Sequence, residues 1–164
     1  DVAAAQGADT VVLATGTRSD AYAQRALPHL PEVCFVEVGD FTGIALRRAA
    51  AAGITRVTWV GMVGKITKLA AGVMMTHFRR TKVDTGLLAD VAREAGAPEA
   101  VVDAATHTNT ARHFYEACVE HDAVEPLRIL CHRAAAACRA HVDGALEVDV
   151  VCVDVYGTRE MARG

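Results

Sequence analysis

Thr10-Val11-Val12-Leu13-Ala14-Thr15-Gly16 is a continuous apolar run of strand length that stops on a glycine, and the rest of the chain is best read outward from it. The pattern returns twice, in Cys34-Phe35-Val36-Glu37-Val38-Gly39 and in Val57-Thr58-Trp59-Val60-Gly61. Between these runs, residues 20–27 and 41–52 carry helical patterning, and Gly53 closes the second where a C-terminal glycine belongs. Strands that are apolar on both faces and alternate with helices belong to a parallel sheet covered on both sides. The expected fold is α/β and Rossmann-like, a doubly wound, mostly parallel sheet with helices on both faces.

Farther along, a short helix is expected near residues 66–71, an irregular polar stretch over 74–82, and a helix over 84–94 ended by Gly96-Ala97-Pro98. Helical patterning then continues, broken near residues 106–110 and at Pro126, until Val148-Asp149-Val150-Val151-Cys152-Val153 supplies a fourth strand. No repeat or linker interrupts the 164 residues, which are expected to form a single domain, residues 1–164. Because the chain opens on Asp1-Val2 without an initiator Met, that domain is expected to be a fragment of something longer.

A composition of 52% hydrophobic and 23% charged residues is that of a globular protein able to bury a core. Seventeen Lys and Arg against twenty Asp and Glu give a net charge of -3, so the basic field that tracks a phosphate backbone is missing and nucleic acid is not an expected partner. Cys34, Cys118, Cys131, Cys138 and Cys152 are odd in number and include no Cys-x-x-Cys pair; four of them sit in apolar or helical stretches and read as buried free thiols, which implies a reducing, cytoplasmic setting. No apolar run of about 18 residues is present, so no membrane span is expected. Cys131, His132, Cys138 and His141 match no zinc spacing, and His107 and His113 do not share a helix face, so no protein-held metal is expected.

In open parallel sheets, ligands bind where loops leave the carboxyl ends of the strands. After the first strand, Thr15, Gly16 and Arg18 offer close backbone approach and a carboxylate-binding guanidinium, with Ser19 or Asp20 as helix cap. The alternative there is a tight turn with a solvent-facing Arg. After the second strand, Gly39 precedes Asp40, which suits either a ribose hydroxyl or the helix N-cap. After the third, Gly61-Met62-Val63-Gly64-Lys65 is two residues shorter than a P-loop, which excludes Walker A and leaves a helix N-terminus suited to an anionic group. A glycine-rich pyrophosphate fingerprint is missing, which counts against a dinucleotide. His77, Arg79 and Arg80 fall in the irregular stretch, as a solvated loop or as partners for a polycarboxylate. Asn109, Arg112 and His113 are spaced to share one helix face.

The ordered set Glu37-Val38-Gly39-Asp40-Phe41-Thr42-Gly43, Val60-Gly61-Met62-Val63-Gly64-Lys65-Ile66-Thr67-Lys68-Leu69-Ala70-Ala71-Gly72, Thr76-His77 with Arg80 and Val83-Asp84, and Asn109-Thr110-Ala111-Arg112 resembles the CbiD family over residues 10–122. These are cobalt-precorrin-5B C(1)-methyltransferases of the oxygen-independent cobalamin pathway. The resemblance implies methyl transfer from S-adenosylmethionine to a ring carbon of a cobalt-containing tetrapyrrole rich in carboxylates, and a further α+β domain ahead of this part. For such a reaction, position and residue type suggest a cofactor site at Thr15, Gly16, Arg18, Gly39, Asp40, Gly61, Gly64 and Lys65, with Asp40 on the ribose and Arg18 or Lys65 on the methionine carboxylate. Substrate carboxylates would meet His77, Arg79, Arg80, Asn109 and Arg112. The sequence departs from the family at Thr17, at Phe78 and at Val155-Tyr156-Gly157. The competing readings are a non-catalytic ligand-binding or homo-oligomerisation domain and a nicotinamide-dependent oxidoreductase on the same fold.

Overall fold

The computed structural model of the chain describes residues 1–77 and 83–164. Four parallel strands, β1 (Thr10–Ala14), β2 (Phe35–Glu37), β3 (Arg56–Gly61) and β4 (Glu147–Val153), and one antiparallel strand, β5 (Glu160–Arg163), form a sheet in the order β2-β1-β3-β4-β5. Val12 faces Phe35 on one side and Thr58 on the other, and Val57 faces Val148. The helices are α1 (Val2–Ala5), α2 (Thr17–Ala26), α3 (Thr42–Ala51), α4 (Val63–Ala70), α5 (Thr85–Glu94), α6 (Glu99–His107), α7 (Ala111–Glu120) and α8 (Glu125–His141).

The two faces of the sheet are unequally covered. Val11, Leu13, Val57, Trp59, Val148, Val150 and Cys152 enter a large core with α3, α4 and α8. Val12, Val60, Val151 and Val153 meet Ala23, Tyr22 and Leu27 in a small cluster under α2. The period-2 alternation of each strand sends its side chains to these two layers. On the thick side, α4 buries Val63, Ile66, Thr67 and Leu69, and α8 buries Leu127, Leu130, Cys131, Ala134, Ala135 and Cys138. This spacing gives each helix one apolar stripe, and the alanines of α8 let α4 approach closely. Helices α5, α6 and α7 pack in succession onto one another and onto that pair.

Trp59 is the largest fully buried side chain, and its Nε1 donates to Thr42 Oγ1 at 3.1 Å. The indole explains the glycine two residues on: a Cβ at Gly61 would lie 2.5 Å from the ring and 3.0 Å from Thr15 Oγ1. Gly53 ends α3 with φ +83°, in agreement with its expected place. All five cysteines are buried and free, and burial pushes the Cys118 and Cys138 thiols up to about 12.

Several local expectations are corrected. Helix α2 starts at Thr17 with Gly16 at its N-cap, so neither Ser19 nor Asp20 caps it; Ser19 Oγ instead accepts from the Thr15 amide (3.0 Å) and donates to the Gly16 carbonyl (2.8 Å). Asp40 is not a cap either, because Phe41 occupies that position of α3. Helix α4 begins at Val63, three residues before 66, which brings Gly64 and Lys65 into its first turn. Pro126 does not break the chain but stands in the first turn of α8, where a missing N–H costs no helical hydrogen bond. The break comes just ahead of it, where Asp122 adopts φ +51°. Asn109 lies ahead of α7, whose cap is Thr110, and so shares no helix face with Arg112 and His113. Strand β5 was not expected; four residues with a bulged register beside β4 leave little pattern to see.

Gly61→Ala is expected to destabilise the chain by about 1 to 3 kcal/mol through overpacking against Trp59, measured as a lower denaturant midpoint; an unchanged midpoint would mean that the indole yields without strain.

Candidate functional site

Strand β1 lies between β2 and β3, and the connections leaving β1 and β3 go to opposite faces of the sheet, β1 into α2 and β3 into α4. The carboxyl ends of β1 and β3 therefore form the topological switch point, where a crevice opens in folds of this kind. Its floor is Thr15-Gly16 on one side and Met62-Val63-Gly64 on the other. The first amides of α2 and α4 have no intrahelical acceptor, and the positive ends of both helices converge there. Gly16 is extended, with φ 162° and ψ 171°, a backbone any residue adopts, and a Cβ on Gly16 or Gly64 would meet nothing within 4 Å among the described residues. Unlike Gly61, these two glycines leave room that the described chain does not fill.

Lys65, in the first turn of α4, reaches back under this edge. Its Nζ donates to the carbonyls of Thr15 (2.9 Å) and Gly39 (3.0 Å) and pairs with Asp40 Oδ1 at 3.3 Å, with both side chains 28% exposed. One ammonium thus ties the ends of β1 and β2 to the start of α4. Thr76 Oγ1 is 3.4 Å from the same Asp40 Oδ1, and the Thr76 amide donates to the Asp40 carbonyl at 3.0 Å. One turn farther along α4, Lys68 donates to the carbonyls of Thr76 (3.1 Å) and His77 (2.9 Å). The Gly43 amide donates to Met74 at 3.0 Å. Residues 74–77 are in this way stitched to the loop after β2, and Phe41, Ile44 and Met75 are exposed along it.

The opposite wall is the turn after β4. The Asp154 carboxylate, 8% exposed, accepts from the Thr158 amide and hydroxyl, each at 2.7 Å, and from the Arg159 amide at 3.3 Å. Burial opposes its ionisation, but these donors outweigh burial and hold the carboxyl below its usual 3.8. Arg18 Nη1 donates to Val155 O at 2.6 Å and Arg25 to Gly157 O at 2.9 Å, fastening the turn to α2. Arg112, in the first turn of α7, pairs with Glu116 at 2.7 Å in an exposed position.

Thr15, Gly16, Gly39, Asp40, Gly61, Gly64 and Lys65 thus share one edge. Arg18 stands beside that edge with its guanidinium on Val155, His77 closes the first wall through its carbonyl, and Asn109 and Arg112 lie at the start of α7. Arg79 and Arg80 fall outside the described residues. Asp154 escaped the sequence reading, and Lys68, Thr76 and Tyr156, though they fall in the stretches quoted there, received no role in it. An Asp followed four residues later by Thr at a strand end was the available signal for the second wall. Among the described residues no group of three or more His, Cys, Asp or Glu is placed to hold a metal ion, and no helix is long and apolar enough to cross a membrane.

Fold and edge together define a doubly wound α/β fold whose topological switch point lies at the carboxyl ends of β1 and β3. The model of the CbiD C-terminal domain matches residues 75–162, and the chain belongs to the CbiD family. It is 52% identical over 154 residues to a protein of Rubrobacter xylanophilus, covering 94% of this chain and 40% of that one. It is 49% identical over 162 residues to one of Salinispora tropica (98% and 43%) and 40% identical over 158 residues to one of Geobacillus kaustophilus (96% and 42%). All three relatives are named cobalt-precorrin-5B C(1)-methyltransferase. The chain spans about two fifths of the length of these relatives. No solved structure matches it significantly.

Two tests follow from the walls of the crevice. Lys65→Met strands three acceptors and is expected to cost about 2 kcal/mol in denaturant unfolding; full stability would show that the edge holds without it. A carboxyl with a lowered folded-state value stabilises the fold above its unfolded value, and that contribution disappears as pH falls through the folded value. The stability gap between the native chain and Asp154→Asn is therefore expected to be full at neutral pH and to close below pH 3.8; a gap independent of pH would remove the carboxylate from the account.

Proposed function

We propose that the chain is the cofactor-binding, C-terminal part of an S-adenosylmethionine-dependent C-methyltransferase. It would act on a cobalt-precorrin, converting cobalt-precorrin-5B to cobalt-precorrin-6A in anaerobic cobalamin biosynthesis in the cytoplasm. The carrying observation is the pair of glycines, Gly16 and Gly64, that leave open ground before two converging helix N-termini at the switch point. The names of the relatives supply the reaction class, and the 164 residues act as one Rossmann-like unit within a longer protein.

The residues present fit such a cofactor. Gly16 and Gly64 offer backbone without side-chain bulk on both sides of the crevice, with Thr15 and Gly61 assigned beside them. Asp40 is anchored through Oδ1 by Lys65 and Thr76, and Oδ2, with no hydrogen bond from the described residues, suits the ribose hydroxyls. Lys65 faces protein oxygens, so the methionine carboxylate falls to the amides that open α2 and α4, with Arg18 at hand if it leaves Val155. His77, Arg79, Arg80, Asn109 and Arg112 are assigned to the substrate's carboxylates. When bound, the cofactor supplies an electrophilic methyl group on a sulfonium. The task left to the chain is to hold the accepting carbon in line with it, and positioning of that kind contributes several kcal/mol to rate.

Calorimetric titration with S-adenosylhomocysteine, with NADH as control, tests this reading. The chain is expected to bind the former and not the latter. Gly16→Val is expected to abolish binding at an unchanged melting temperature, since the fold has room for the side chain, and Asp40→Asn to weaken it about tenfold. Full affinity in Gly16→Val would place the cofactor elsewhere, and preference for NADH would favour an oxidoreductase.

A further inference from the structure

Among the described residues, the most exposed aromatic ring is also held on one of the most constrained turns. Tyr156 is 73% exposed, whereas the residues around it have little freedom. Asp154 is buried and engaged by Thr158 and Arg159, and the Gly157 amide donates back to the Asp154 carbonyl at 3.1 Å. Gly157 adopts φ +69°, and a Cβ there would lie 2.6 Å from the Arg18 carbonyl, so only glycine fits. Arg18 and Arg25 hold the carbonyls on either side of the ring. Six residues are thus organised around a side chain that packs on almost nothing, at a strand end beside the crevice.

The surroundings indicate what the ring faces. The turn leans on the Arg18 backbone, two residues after Gly16, and Arg112 of α7 stands within electrostatic reach of the Tyr156 hydroxyl. Among the described residues Arg112 pairs with the exposed Glu116, a pair of small energetic value that exchanges readily for another carboxylate. A small cofactor is normally enclosed over most of its surface, which a ring standing at the rim does not provide. A large flat ligand needs only one face covered.

We propose that Tyr156 is a stacking platform for the flat face of the tetrapyrrole substrate, with Arg112 pairing with one of the ring's carboxylates. The inference rests on the reading of this chain as part of a cobalt-precorrin methyltransferase. It assigns Tyr156 to substrate placement, separately from the cofactor crevice at Gly16 and Gly64.

Trp59, the single tryptophan, lies fully buried and unaltered by changes at the rim, so quenching of its emission reports the binding of a metal tetrapyrrole. The probe is cobalt uroporphyrin, a planar polycarboxylate, titrated into the chain in parallel with calorimetric titration of S-adenosylhomocysteine. Tyr156→Ala is expected to weaken macrocycle binding about tenfold and to leave S-adenosylhomocysteine affinity and melting temperature unchanged, while Tyr156→Phe stays within about twofold of the native chain. Arg112→Gln is expected to weaken macrocycle binding and flatten its dependence on salt. Native macrocycle affinity in Tyr156→Ala overturns the proposal, and so does a loss shared equally with S-adenosylhomocysteine. A native chain that binds S-adenosylhomocysteine but no macrocycle overturns the proposal and leaves the cofactor reading standing; one that binds neither overturns both.

Discussion

The Lys65 ammonium sits where three chain segments must meet if the sheet edge is to have a defined shape. In a parallel sheet the last carbonyls of each strand run past the end of the ladder, and nothing in the sheet itself fixes the loops that follow. Here the carbonyls of Thr15 and Gly39 and the carboxylate of Asp40 all turn toward one positive charge delivered from the first turn of α4. Being only 28% exposed, the group works in a lower dielectric than a surface ion pair, and its three N–H donors match three oxygens. The loops after β1 and β2 and the start of α4 are therefore held in one arrangement by the chain itself.

That edge depends in turn on how α4 is seated. Its apolar stripe lies along α8, whose alanines permit close approach, and α8 covers β4. Trp59 fills the space between β3 and the start of α3, bonded to Thr42. The thick layer thus fixes both helices that reach the edge from one face, whereas α2 covers the other face largely through Ala23, Tyr22 and Leu27. The thin side makes up for its small cluster with polar ties from Arg18 and Arg25 to the turn after β4. Both ties end on backbone carbonyls, so they fix the path of the turn while leaving Tyr156 outward.

Glycines near the crevice fall into physically different groups despite their similar appearance in sequence. Gly61 is dictated by the neighbouring indole and Gly157 by the Arg18 backbone. Gly16 and Gly64 are dictated by nothing among the described residues. Only the last two are free of both a positive φ and a packing demand from the described chain.

Much of the architecture was legible in the sequence because strand and helix periods differ. Three apolar runs ending on glycine, separated by helical stretches, already specify a parallel sheet and the edge at which ligands gather. The positions of Gly16, Gly39, Asp40, Gly61 and Lys65 along that edge follow from the same reading. The sequence could not say what each polar group on the edge turns toward. Whether Asp40 caps a helix or meets Lys65, and whether Arg18 faces solvent or Val155, are settled by contacts between residues 25 and 137 positions apart. Local pattern encodes which face of an element is apolar, because burial acts on every residue of that face in turn. The partner of a single charge or hydroxyl is chosen by whatever the folded chain brings within about 3 Å, and that choice exists only once the tertiary structure has formed.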